Sequence, residues 1–289
     1  MQPVRLIAMD MDGTLLTRID PVTACIPPEN AAALRRCMDA GVHLALASGR
    51  MPDDASFFAD DAAIPMHIIG LNGSVTLDHP FGSVLSEHFL TEADARRILS
   101  ILMDSGADVC IFGQWEVVCM QDRPLSWAQR ELGTYFGRTG GRLTYRSGGD
   151  GAESLISRAG KIVALTESDR EGLALARERI SRELPHLKIT SSWWNNFEVN
   201  PAGVDKGSAL RELADRLGIP MEQVMAIGDN DNDVPMLKVA PISVAMGNAS
   251  PAARDAARYL TLPNDRFGVA EAIHAIVFGE HSQNVHAQK

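Results

Sequence analysis

An apolar run from Val4 to Met9 stops abruptly at Asp10-Met11-Asp12-Gly13-Thr14. The same step recurs where Val42 to Ala47 meets Ser48-Gly49-Arg50, and where Gln223 to Ile227 meets Gly228-Asp229-Asn230-Asp231-Asn232-Asp233. Short apolar strands that alternate with helical patterns build parallel sheets through right-handed crossovers. An α/β fold is therefore expected, with a parallel sheet covered by helices on both faces. In open sheets of this kind, ligands gather at the carboxyl ends of the strands, and all three polar loops fall there.

The rest of the chain divides by texture. Pro27-Pro28-Glu29 opens a helix that Gly41 stops, and Met66 to Gly70 reads as a third strand before the tight turn of Asn72-Gly73. From Thr91 the pattern becomes α+β: a helix to Ser105, strands over 108–113 and 116–120, and a helix near 124–136. A strand over 161–166 follows, then a helix opened by a capping box of Ser168 and Glu171, then strands over 187–192 and 196–200. After Pro201 the first texture returns, with a helix from Asp205 to Leu217, the strand ending at Ile227, another from Ile242 to Ala245 and a terminal helix from Gly268. A chain of 289 residues has room for two cores. The expected division is one discontinuous α/β domain, 1–82 and 202–289, with an α+β segment, 83–201, inserted into it.

Composition removes several classes of function. Lys and Arg number 27 against 37 Asp and Glu, a net charge of −10, the wrong sign for gripping a phosphate backbone, so nucleic acid is not an expected partner. No apolar run approaches the roughly 18 residues that span a bilayer, and Asp10 arrives too early for a signal-peptide core, so neither membrane nor export is expected. Cys25, Cys37, Cys110 and Cys119 form no C-x-x-C pair, which signals neither a disulfide framework nor a zinc knuckle and fits a reducing cytoplasm. The polar tail after Gly279, with His281 and His286, reads as a frayed terminus. A monomer or homodimer is expected.

If the three acidic or polar loops lie side by side, Asp10, Asp12, Asp229 and Asp233 converge. So many carboxylates in one crevice repel unless a divalent cation neutralises them, and hard oxygen ligands suit Mg²⁺. Each string alone is weak. Asp-Gly-Thr and Ser-Gly are common turns, and a lone lysine such as Lys206 at a helix start is ordinarily solvated.

In this order, however, the strings resemble the haloacid dehalogenase superfamily, and within it the Cof-like phosphatases with a type IIB cap inserted between the second and third motifs. The residues that carry the resemblance are Asp10 to Leu15, Ser48-Gly49-Arg50, Asn72-Gly73, Gly203 to Gly207, Gly228 to Asp233 with Pro235-Met236-Leu237, and Val244 to Ala249. The resemblance implies a Rossmann-like core and a Mg²⁺-dependent phosphatase of small phosphorylated metabolites. It implies Asp10 as the nucleophile that becomes an aspartyl-phosphate, and Asp12 as the acid and base whose backbone carbonyl also binds the metal. Asp229 completes the metal site, and Asp233 ligates the metal or orients its waters. Ser48 and Asn232 hold the phosphoryl oxygens, with Gly49, Arg50 and Asn72 lining the substrate side, while Lys206 neutralises Asp10 and the transferring group. The alternatives are a sugar phosphomutase and a non-enzymatic phosphometabolite sensor.

Leaving-group choice is expected to lie within 83–201. Trp193-Trp194-Asn195-Asn196 offers aromatic surface and amides for a sugar or ring, against packing as the plainer reading. Trp115, Trp127, Tyr135 and Phe136 read as core of the insert. Arg123, Arg138 and Lys161 could reach a second anionic group, against ordinary surface solvation.

Overall fold

The computed structural model describes residues 3–16, 24–78, 82–132, 143–191 and 195–288. The chain opens with β1 (Leu6–Met9), β2 (His43–Ala47), β3 (His67–Gly70), β4 (Val75–Leu77) and β5 (Val84–Glu87). It then runs through β6 (Asp108–Phe112), β7 (Glu116–Cys119), β8 (Thr144–Arg146), β9 (Lys161–Leu165), β10 (Lys188–Thr190) and β11 (Asn196–Asn200). It closes with β12 (Val224–Gly228), β13 (Ile242–Ala245), β14 (Tyr259–Leu260) and β15 (His286–Ala287). The helices, in chain order, are α1 (Pro28–Asp39), α2 (Pro52–Asp61), α3 (Glu92–Met103), α4 (Leu125–Leu132), α5 (Ala152–Ile156) and α6 (Arg170–Glu183). They continue with α7 (Lys206–Arg216), α8 (Val234–Val239), α9 (Pro251–Ala256) and α10 (Gly268–Ala272).

Among the described residues the strands form two sheets. The larger is ordered β15-β14-β13-β12-β1-β2-β3-β4-β5, and the smaller β10-β11-β9-β6-β7-β8. In the larger sheet, the pairs from β14 across to β3 are all parallel. β1, β12 and β13 are buried at every position, so both faces of the sheet are covered, as parallel sheets require. Helix α1 packs against α10, and α7 against α8. Register places Met9 opposite both Ile227 and Leu46, so the loops after β12, β1 and β2 emerge side by side. The fold is α/β, as the strand spacing predicts.

Val84–Glu87 pairs with β4, so the larger sheet continues past residue 82. The chain passes to the smaller sheet after β5 and returns after β11. Both crossings line one cavity of ≈ 490 Å³, with Phe89, Leu90, Pro201 and Val204 in its wall.

The smaller sheet is antiparallel except for β7 with β8. One face, with Ile111, Val118, Ile162, Ala164 and Phe197, packs on Ile98 and Leu102 of α3 and Ala176 and Ile180 of α6. The opposite face turns Cys110, Phe112, Val117, Val163 and Leu165 toward the main core, together with Trp127 of α4.

Three expectations are corrected here. Cys110 and Cys119 are bonded as a disulfide, because antiparallel register sets them directly opposite each other on β6 and β7 with Cα atoms 4.1 Å apart. No C-x-x-C spacing announces that pairing. The tail is not frayed. His286–Ala287 pairs with β14, and the Gln288 side chain donates to the Arg254 and Ala257 carbonyls. Helix α6 is capped by Asp169 rather than Ser168, its Oδ1 accepting from the Gly172 amide at 2.8 Å.

Candidate active site

Asp10 sits at the carboxyl end of β1, where its amide still donates to Ile227 of the neighbouring strand. One turn of chain later, Gly13 takes φ +84, and a Cβ there would stand 2.5 Å from Asp229 Oδ2. A glycine lets the first loop close onto the third. Thr14 Oγ1 then donates to Asp229 Oδ1 at 2.7 Å, tying the loops together across 215 residues.

Lys206 is the first residue of α7, set by Asp205, whose side chain accepts from the Gly207 and Ser208 amides. Its stem is fully buried, and Nζ donates to Asp10 Oδ1 at 2.5 Å and Asp233 Oδ1 at 2.6 Å. The other oxygen of Asp233 accepts from the Asp229 and Asn230 amides at 2.9 and 3.0 Å. Both of its oxygens are thus engaged in holding the third loop and the lysine in place.

Ligand oxygens of Asp10, Asp229 and Asp233 lie within 4.8 Å of one another. Burial, and after it the charge of Asp233, pushes the Asp10 carboxyl well above the usual range, against the pull of Lys206. Burial and Asp233 likewise push Asp229 up to about 6, against its hydrogen bond from Thr14. Burial works to lower Lys206, but Asp10 and Asp233 on either side reverse it, so its ammonium is held well above the usual lysine range. Two buried carboxylates and the half-buried Asp229 facing one lysine remain short of positive charge. These hard, crowded oxygens fit a divalent cation.

The Asp12 side chain stands apart from this cluster. Arg50 grips it with two parallel bonds, Nε to Oδ2 at 2.7 Å and Nη2 to Oδ1 at 2.6 Å, and also reaches Asp54 Oδ2 at 3.3 Å. Ser48, at the end of β2, accepts from the Arg50 amide at 3.1 Å. The turn after β3 docks on that loop, since the Leu71 amide donates to Arg50 O and the Asn72 amide to Ser48 O. Asn72 takes φ 56, as the Asn-Gly turn predicts, and its Oδ1 accepts from Asn232 Nδ2 at 3.3 Å. Asp10, Asp12, Ser48, Gly49, Arg50, Asn72, Lys206, Asp229, Asn232 and Asp233 therefore share one end of the larger sheet.

A haloacid dehalogenase-like hydrolase family model matches residues 7–273. The chain belongs to that family. The hydrolase is 30% identical to 5-amino-6-(5-phospho-D-ribitylamino)uracil phosphatase YcsE of Bacillus subtilis, over 93% of this chain and 94% of that one. It is 28% identical to pyridoxal phosphate phosphatase YbhA of Escherichia coli, over 94% of this chain and 98% of that one. A solved haloacid dehalogenase-like hydrolase from B. subtilis superposes with a TM-score of 0.80 at 26% identity, covering 94% of this chain and all of that one.

Of the residues that the smaller sheet of the hydrolase sends to this site, the sequence offers Lys161 only as a cation that could reach a second anionic group, and Glu198 and Asn200 not at all. Lys161, read as solvated by default, is buried, and its Nζ donates to Gly49 O at 2.9 Å and Glu198 Oε2 at 3.0 Å. Asn72 Nδ2 donates to Glu198 Oε2 at 2.8 Å and Asn200 Oδ1 at 3.2 Å. A lysine next to Ile162 and a glutamate between Phe197 and Val199 were the available signal, because charge inside a buried strand is rare. Arg123 is occupied by Asp108. Trp127 is buried core, while Trp115 is partly buried against it. Trp193, Trp194, Tyr135, Phe136 and Arg138 lie outside the described residues.

Proposed function

We propose that this hydrolase is a Mg²⁺-dependent phosphatase of small phosphorylated metabolites that works through an aspartyl-phosphate on Asp10. The observation that carries the reading is the buried contact of Lys206 Nζ with Asp10 Oδ1, which orients one carboxyl at the strand-end crevice and opposes the burial that disfavours its charge. A carboxylate so oriented is a nucleophile. Phosphatase names among the relatives support the reaction, and their range, from a ribitylamino uracil phosphate to pyridoxal phosphate, supports a small-metabolite substrate.

In this reading Asp10 attacks phosphorus, the P–O bond to the leaving group breaks, and Asp12 supplies the proton that the leaving oxygen needs. Asp12 then takes a proton from the water that hydrolyses the aspartyl-phosphate. Ser48 and Asn232 donate to the phosphoryl oxygens, and Lys206 balances their charge. Asp10, Asp229 and Asp233, with the Asp12 carbonyl, would hold Mg²⁺, which when bound neutralises charge on the phosphoryl group. We assign the chemistry to 1–82 and 202–289, and leaving-group choice with water exclusion to 83–201 acting as a cap.

The test is phosphate release from p-nitrophenyl phosphate with Mg²⁺ by the wild type and by Asp10→Asn. The wild type is expected to turn over and Asp10→Asn to lose all measurable turnover; a fully active Asp10→Asn ends the covalent mechanism. Isomerised sugar phosphate without net phosphate release would favour a mutase instead.

A further inference from the structure

The polar group that the smaller sheet delivers to the site has no role in the reaction as described. Lys161 opens β9, and Glu198 is central in β11; their side chains are 6% and 8% exposed. Glu198 stands opposite Val163 in register, and Lys161 opposite Phe112, so the pair shares the sheet face otherwise made by Phe112, Val163 and Leu165. Two charges removed from water carry a desolvation cost, and an apolar pair of similar size would pack there at least as well. Their contacts point to the crevice. Lys161 holds the carbonyl of Gly49, between Ser48 and Arg50, and Glu198 holds Asn72, which in turn accepts from Asn232.

We propose that Lys161 and Glu198 are specificity-determining residues that select a hydroxylated leaving group, Lys161 by donating to a hydroxyl oxygen and Glu198 by accepting from a hydroxyl. The proposal rests on the phosphatase reading. An ammonium has three N–H donors, and among the described residues two of those of Lys161 have acceptors, Gly49 O and Glu198 Oε2. The same ammonium stands 5.0 Å from the centroid of the Phe112 ring and, through Gly49 O, beside the loop that carries Ser48 and Arg50, so its remaining donor capacity lies next to the strand-end crevice. A carboxylate beside that ammonium disfavours a second phosphate or carboxylate on the substrate by like-charge repulsion, and suits a neutral hydroxyl that can both give and accept. A site built to bond a hydroxyl discriminates strongly against an analogue that lacks it, because the buried partners are left unpaired.

A purely structural latch between the two sheets would use the same contacts, and the experiment separates the two. kcat/KM is measured with Mg²⁺ for ribose 5-phosphate and for n-pentyl phosphate, which present similar primary alkoxide leaving groups but differ in hydroxyls. The wild type is expected to favour ribose 5-phosphate by about 10–100-fold, and Lys161→Met and Glu198→Gln each to remove most of that preference, with Lys161→Arg restoring part of it. Should either single variant fail to fold, Lys161→Met combined with Glu198→Leu leaves no unpaired charge and serves in its place. Equal losses on both substrates, or a wild type indifferent to the hydroxyls, overturn the proposal in favour of a latch. A wild type that leaves p-nitrophenyl phosphate intact as well removes the phosphatase reading, and the proposal with it.

Discussion

Arg50 closes on Asp12 with two parallel hydrogen bonds of 2.7 and 2.6 Å, so both carboxylate oxygens of the proposed acid and base face one guanidinium. Arginine forks of this kind fix orientation as well as charge. Proton delivery by Asp12 requires Arg50 to yield one of those oxygens as the leaving group arrives.

Arg50→Met is therefore expected to lower kcat by about 10²-fold on an alkyl phosphate, whose alkoxide needs the proton, and much less on p-nitrophenyl phosphate. Steady-state kinetics on both substrates checks this. An equal loss on both would make Arg50 a phosphate anchor and not a positioning residue for Asp12.

Lys206 lies between Asp10 and Asp233 with no exposure of its own. Lys206→Met leaves two carboxylates buried and unpaired, at an expected cost of about 3–5 kcal/mol without metal. A carboxyl whose folded pKa is raised binds protons preferentially in the folded state, so the deficit shrinks as pH is lowered from 8 to 5. Urea unfolding at both pH values measures it, and a deficit that is flat with pH would show that the lysine does not offset those charges.

Asp10 is held well above the carboxylate range by burial and Asp233, and Asp229 up to about 6 by the same causes. A cation bound by these oxygens must expel their protons. Affinity for Mg²⁺ is accordingly expected to rise with pH through about 6, with protons released on binding near that pH. Titration calorimetry in two buffers of different ionisation heat reads the release directly; identical heats in both would contradict it.

Cys110 and Cys119 are joined, while Cys25 and Cys37 are free, and burial pushes the Cys37 thiol up to about 12. Alkylation of the oxidised protein in denaturant without reductant is expected to label Cys25 and Cys37 alone, and with reductant to label Cys110 and Cys119 as well. Mass spectrometry counts the adducts. Opening the bridge is expected to cost the fold about 2–3 kcal/mol, the loop-closure entropy of so short a ring.

The convergence of Asp10, Asp229 and Asp233 was legible in the sequence because each follows an apolar strand, and parallel strands put their ends at one edge. The Asn72 turn was legible for a local reason too, since few residues accept φ 56. What the sequence hid is set by non-local register and side-chain direction. Nothing in the spacing of Asp12 and Arg50 says that they face each other. Lys161 and Glu198 meet only because antiparallel pairing of β9 with β11 puts both on one face, and the same kind of pairing brings Cys110 opposite Cys119. Short motifs at strand ends carry their chemistry with them, whereas an antiparallel insert discloses its own only once its strands are aligned.

The hydrogen bond from Lys206 to Asp10 spans 196 positions, and β1 has its neighbour β12 only when residues 224–228 are available. A ribosome thus releases the tenth residue long before the lysine and the two later aspartates exist to meet it. Through most of translation that first carboxylate waits in an incomplete sheet, with one flank open and without the lysine that meets it in the finished fold. The proposed site is therefore completed late and all at once, when the third loop and α7 join the first strand.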